Sequence, residues 1–481
     1  MKPGENLWEA GTGQRRLLVF WLCSASLWLG LMSLYPWQVD SDDAMNFALA
    51  IERFSVLEFR PHFPGYPGMV AGGWLFHLMP GVETAERAVV AFTVFSAAVI
   101  PLAAGWWAGA LSGSLFTAMT TVLVLFASPL LAGLALSGLS DAPALACLLW
   151  ALAALALGRY SVAGWALALM LAIRPSYFVL GVGCLLFTGI NQFSGMNGAT
   201  LMSPNQRKLA FRQAALAMLW PQWWVGSVCL VFILSRDGVA YFEEGWRFTR
   251  GHFSLWGNTL PDAPPKMLAW WPQIAERLGL YTLVAVGVPL VGAFRQSESR
   301  WRLSVAVLGL YFLWMLCSQN PANLRHFAPV FCLAVVLLLV FLTQKVRSNW
   351  LVALAATGFL PDYSAYWRLP PGDAPVHVAI AAMSSQLALN PMTDSPRKAA
   401  LGLNYSVHLV RQRLPDLALY DLYYPEHEIL LGSEQYDLAW RLSTTPLTAT
   451  GYRWERDFPA RFPTEQTLYL YRVDRGGELP R

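Results

Sequence analysis

Three carboxylates stand within four residues at Asp40-Ser41-Asp42-Asp43, directly after the first apolar run of the chain. Crowded carboxylates repel one another, and at least one pKa rises unless a cation answers it. Such a group can take a proton from an attacking hydroxyl as a general base. It can equally bind a divalent metal through oxygen ligands, with Asp42 and Asp43 as the nearest pair. The plainer alternative is a solvated acidic loop in which Asp42 or Asp43 caps a helix over Ala44–Arg53.

About twenty residues further on comes Arg60-Pro61-His62-Phe63-Pro64-Gly65-Tyr66-Pro67. Prolines and a glycine at these positions make a rigid turn that presents Arg60, His62 and Tyr66 and is poor in donors of its own. Elsewhere, Asp141, Arg174, His252 and Arg325-His326 are the polar residues at the margins of apolar runs. A guanidinium fits phosphate oxygens bidentately, so Arg174, Arg325, His326 and His252 together suit a phosphate-bearing lipid. Taken singly, each is as well explained by a helix C-terminus or by a side chain reaching for headgroups.

The elements that must position these groups are apolar. The chain of 481 residues is 56% hydrophobic and only 13% charged, where a water-soluble domain is about 25% charged. Too few charges remain to cover a surface in water, so lipid must meet much of it. The 22 Trp and 17 Tyr suit two membrane–water interfaces. A net charge of +4 without a basic stripe excludes nucleic acid as a natural partner. All six cysteines lie inside apolar runs with no CxxC pair, which supports neither a thiolate metal site nor a disulfide framework.

A bilayer core takes roughly 20 apolar residues as a helix. Such runs begin at Leu17–Tyr35, behind Arg15-Arg16 and without a cleavage site, which reads as a retained signal anchor. Further runs lie near 88–107, 114–133, 142–158, 162–190, 214–234, 279–294, 303–318, 327–343 and 349–366. Pro175 divides 162–190 into two half-spans, giving about eleven crossings. With residues 1–16 in the cytoplasm, the short inner loops then hold Arg159, the Arg207-Lys208-Arg212 cluster, Arg295, Arg300, Arg302, Lys345 and Arg347. The longer loops 36–87 and 235–277 fall outside, with every candidate site residue at that level.

After about residue 367 the polarity becomes ordinary. Alternation over Leu417–Tyr424 and Thr467–Val473 suits strands, and Arg397–Arg413 reads as a helix. The expected fold is therefore an all-α polytopic membrane protein over 17–366, followed by a small extracytoplasmic α/β domain over 367–481. The protein would be integral to the plasma (inner) membrane and multi-pass, with its C-terminal domain outside.

The chain resembles the GT-C superfamily of integral-membrane glycosyltransferases, in the style of its ArnT-like and protein O-mannosyltransferase-like branch. The resemblance rests on the Asp40–Asp43 motif with Phe47-Ala48, the Pro64–Pro67 turn, Ser140-Asp141, the Arg174-Pro175 break and Asn323–Pro329. It implies a sugar donor carried on a polyprenyl phosphate or diphosphate, and a loop aspartate acting as base or acceptor ligand. By its place before Phe47-Ala48, Asp43 matches that aspartate best, then Asp42 and Asp40. The resemblance further implies one-step displacement with inversion and no obligatory cofactor, although the carboxylates leave a divalent metal open. The acceptor, whether glycan, lipid or protein, is not implied. Two other classes fit the composition: a transporter or flippase for a lipid-linked saccharide, and a non-catalytic envelope scaffold. A translocation path needs charge at mid-span, and the spans here carry little.

Overall fold

A computed structural model gives the fold and describes residues 11–193, 203–251, 266–292, 299–346, 348–389, 398–432 and 436–474. Helix α1 (Thr12–Met32) leads into the acidic loop, where α2 (Asp42–Glu52) takes Asp42 and Asp43 into its first turn. Helix α3 (Pro67–His77) starts on a proline, whose missing N–H is no loss at a helix N-terminus. The long α4 (Ala85–Ser112) is capped by the Thr84 side chain and ends on left-handed Gly113. Helices α5 (Leu115–Ala127) and α6 (Pro129–Leu136) meet at a 60° bend, since Pro129 cannot extend the donor ladder.

Helices α7 (Asp141–Ala156) and α8 (Tyr160–Ile173) follow, and the chain breaks at Arg174-Pro175 before α9 (Phe178–Phe193). Then come α10 (Pro204–Asp237), α11 (Ala240–Gly251), α12 (Lys266–Leu278) and α13 (Leu280–Gly292), the last two bent by 119°. The bend sits at Gly279, whose φ of 81° is a left-handed turn that glycine adopts freely. Helices α14 (Ser299–Ser318), α15 (Ala328–Val346), α16 (Asn349–Thr357) and α17 (Leu360–Trp367) complete the apolar part.

Five described helices are long and apolar enough to cross a bilayer, or seven if each bent pair forms one span. The half-span helices on either side of Pro175, with α7, are shorter apolar helices of 10–17 residues. Lipid offers no hydrophobic drive between helices, so small residues must let backbones approach. Alanines 97, 98, 103, 104 and 108 of α4 serve this purpose, all of them buried. Trp21 of α1 donates its indole N–H to the Ala98 carbonyl at 2.7 Å. The outer faces of α1 and α10 instead expose Val19, Leu27, Trp220 and Trp223, as lipid-facing helices do.

The tail holds α18 (Pro375–Leu389), α19 (Val407–Arg413) and α20 (Pro425–Leu431) around a five-stranded sheet. Its strands are β1 (Ala399–Leu403), β2 (Ala418–Asp421), β3 (Leu438–Ser443), β4 (Tyr452–Phe458) and β5 (Leu468–Val473), in the order β2-β1-β3-β5-β4. The sheet is parallel around β1 and antiparallel from β3 to β4. The helix expected over Arg397–Arg413 is thus a strand and a short helix, with Arg397 outside the described residues. All five residues of β1 are buried, and a central strand covered on both faces shows a continuous apolar run with no alternation to read.

Close helix packing makes one position decisive. A β-carbon on Gly164 of α8 would stand 2.6 Å from the Ala217 carbonyl oxygen and 2.8 Å from the Met218 Cα of α10. Gly164→Ala should therefore lower stability by about 1–3 kcal/mol, the usual cost of overpacking. Gly226→Ala on α10, where nothing lies within 4 Å, should not. Thermal unfolding of the two variants in detergent checks the contrast.

Candidate active site

Consecutive residues on a helix point about 100° apart, and that divergence separates Asp42 from Asp43. Asp42 turns to the tail, where its Oδ1 accepts the Leu409 backbone N–H at 3.0 Å. Asp43 turns inward. Its Oδ2 accepts from Arg325 Nη2 at 3.2 Å, and its Oδ1 lies 3.5 Å from His62 Nδ1.

The turn carrying His62 is braced on both sides. Asp237, at the end of α10, accepts the Val56 N–H at 2.6 Å and the Ser55 hydroxyl at 2.7 Å. Ser55 bridges back to Arg60 through paired backbone bonds of 2.8 Å. His62 then stacks on Phe248 of α11, with ring centroids 5.4 Å apart, and its Nε2 meets the Tyr66 hydroxyl at 3.1 Å. Tyr66 stands edge-on to Phe47 at 5.2 Å.

Behind Asp43 lies a second ion pair. Asp141, the first residue of α7, is fully buried, and its Oδ2 lies 3.1 Å from Nη1 of Arg174, the residue that ends α8. Arg174 also donates to the Ser140 hydroxyl at 2.8 Å and faces His326 Nδ1 at 3.3 Å. Arg325 Nε stands 4.0 Å from the same Asp141 oxygen, so Asp43, Arg325, Asp141 and Arg174 form a run of alternating charges. The run borders a cavity of about 640 Å³.

No known family model and no curated protein sequence matches the chain. Solved structures do. The oligosaccharyltransferase AglB of Archaeoglobus fulgidus, solved with an inhibitory peptide and a dolichol-phosphate, superimposes with a TM-score of 0.52 at 12% identity. That match covers 89% of this chain and 69% of the archaeal one. ArnT of Cupriavidus metallidurans, solved with undecaprenyl phosphate, gives a TM-score of 0.51 at 12% identity over 96% of this chain and 99% of its own. The chain has the GT-C fold.

Within this GT-C fold the cavity gathers Asp43, His62, Tyr66, Arg174, Arg325 and His326. Asp141 sits behind it as the partner of Arg174. Asp40 and Asp42 line a smaller neighbouring cavity, which Asp43 and Arg325 also border. Arg60 lines neither: its Nε lies 3.9 Å from Glu58, and its side chain is 35% exposed. His252 lies outside the described residues. Among the described residues no three or more His, Cys, Asp or Glu converge as metal ligands. Asp42 and Asp43 have separate partners, the Leu409 N–H and Arg325, and do not converge on one point.

Several wall residues escape a reading of the sequence. Asn46 follows Asp43 by one helical turn, and Asn320 stands just before the Asn323–Pro329 motif, so proximity to known positions was their only signal. His408, which the tail delivers to the same cavity, carried no signal at all.

The environments push the loop carboxylates apart. Burial raises Asp43, but His62 and Arg325 outweigh it and hold the carboxyl below the usual range, hence ionised at neutral pH. Burial lowers the pKa of His62, against the opposing pull of Asp43. Tyr66, buried, is raised to about 12 and keeps its proton. Burial and the nearby Glu465 raise Asp40 from 3.8 to about 7, against the opposing charge of Arg461.

A raised carboxyl means that the folded state binds the proton more tightly than the unfolded one. Its contribution is complete below the ordinary carboxylate value and is lost as pH rises through about 7. The unfolding midpoint in detergent should accordingly fall between about pH 5 and about pH 8, and Asp40→Asn should flatten that slope. Equal slopes for the two proteins would show that Asp40 does not carry the shift.

Proposed function

We propose that the chain is an integral-membrane glycosyltransferase that moves a sugar from a polyprenyl-phosphate-linked donor to an envelope acceptor at the outer face of the membrane. The observation that carries this is Asp43, bridged to Arg325 at 3.2 Å at the edge of a cavity that also holds Arg174 and His326. The fold it shares with AglB and ArnT, proteins solved with dolichol-phosphate and undecaprenyl phosphate, supports the lipid-linked donor.

In this reading the ionised Asp43 accepts a hydrogen bond from the acceptor hydroxyl and aims its oxygen at the anomeric carbon. The new C–O bond forms as the bond to the phosphate oxygen breaks. The attacking oxygen becomes acidic as it loses electron density, so even a carboxylate of lowered pKa takes its proton late in the step. The phosphate leaves with the bonding pair, and Arg325, Arg174 and His326 stabilise its charge. Attack opposite the leaving group inverts the centre, and the transferred unit is a hexose or pentose. The seven spans by length, with α7, α8, α9 and the α16–α17 pair, make eleven crossings. An odd count puts the two ends on opposite sides, which supports a topology with residues 1–16 inside and the 367–481 domain outside the inner membrane.

Asp43→Asn should insert and unfold like the parent yet lose transfer by about 10²–10⁴-fold. Transfer by that variant at the parental rate from a polyprenyl-phosphate sugar would remove Asp43 from the chemistry. In Arg325→Gln the carboxyl loses the cation that lowers it, so the acid limb of the pH–rate profile should move to higher pH. Comparing the intact masses of envelope glycans and lipids with and without the gene identifies the sugar.

A further inference from the structure

The smaller cavity, about 240 Å³, lies between the acidic loop and the tail. It shares Asp43, Leu139, Asn323 and Arg325 with the larger one, so the two chambers meet at the wall that carries Asp43. Three polar groups in the small chamber are left without outside partners. The Ser41 and Thr464 hydroxyls are buried with no hydrogen bond among the described residues. Asp40 is 8% exposed, and among the described residues its carboxylate has no ion-pair partner within 4 Å: its own backbone N–H meets it, and Arg461 and Arg325 act on it only from a distance.

Buried polar groups ordinarily find partners, and a concentration of bare ones calls for a ligand or ordered water. The volume far exceeds the ~10–15 Å³ that one water needs, so a ring-sized polar group is admitted. Its charge is constrained as well. Asp40, Asp42, Asp43 and Glu465 line the chamber, and its one lining cation among the described residues, Arg325, is bonded to Asp43. Arg461, nearby, is held by Glu465 at 2.9 Å. An anion would meet four carboxyl groups without a free counter-charge.

We infer that this chamber seats a polyhydroxylated, non-anionic acceptor headgroup, a sugar or polyol whose hydroxyls or ammonium answer Asp40, Ser41 and Thr464 and present one hydroxyl to Asp43. The inference rests on the glycosyltransfer reading for the role of Asp43, but the selectivity of the chamber does not. Both walls are needed: Asp40 and Ser41 come from the loop, Thr464 from the tail. The Ser406 hydroxyl, donating to the Asp40 carbonyl at 3.2 Å, holds the two together.

The test measures binding by saturation-transfer NMR to the full chain in detergent, with methyl α-glucopyranoside, glucosamine and glucuronate as probes. Undecaprenyl phosphate binding is followed separately. The neutral and amino sugars should bind saturably, with glucuronate at least tenfold weaker. Thr464→Val and Ser41→Ala, each removing one bare hydroxyl, should weaken sugar binding severalfold and leave undecaprenyl phosphate binding unchanged. Either folded variant suffices. No saturable sugar binding, equal binding of glucuronate, or parental sugar binding in the variants would mean that the chamber holds water only. If the sugars bind as expected but undecaprenyl phosphate does not bind, the donor assignment fails and the selectivity of the chamber stands.

Discussion

The structure turns on the buried carboxylate of Asp141. A charge removed from water must be matched by another charge, and losing one partner of such a pair leaves the other uncompensated. Arg174 supplies the match at 3.1 Å, which fixes the end of α8 against the start of α7. Arg325 then lies between Asp141 and Asp43, so the late turn before α15 is bound electrostatically to the first outer loop. Four segments distant in sequence are registered by one alternating row of charges.

That row also explains how Asp43 differs from its neighbours. Two cationic or polar partners face it, and it stays ionised, whereas Asp40 faces Glu465 and the buried tail and is raised to about 7. The same motif therefore holds one carboxylate tuned for contact with a reacting group and another that is most stable when it keeps its proton. The tail takes part in both arrangements. It caps Asp42 through the Leu409 N–H, closes over Asp40 through Ser406, and accepts from Arg277 of α12 at the Pro463 carbonyl. It is a wall of the site as much as a separate domain.

Much of this was legible in the sequence, for identifiable reasons. Long apolar runs report membrane helices because nothing else satisfies a backbone in lipid, and Pro175 reports its break because it lacks a donor. Asp43, His62, Tyr66, Arg174 and Arg325 stood out because polar residues at the margins of apolar helices are few. The strand at Ala399–Leu403 was missed because a doubly covered strand has no alternation. His408 and Thr464 were missed because a single polar residue in an ordinary polar tail carries no periodic signal.

The sequence by itself determined the material of the site: which charged residues an apolar chain retains, and that they cluster at helix ends. Only the tertiary structure decided their partners. Asp42 and Asp43 are adjacent and chemically identical, yet the turn of one helix sends the first to the tail and the second to Arg325. Pairing depends on distances set by packing between elements hundreds of residues apart, and no local pattern encodes it.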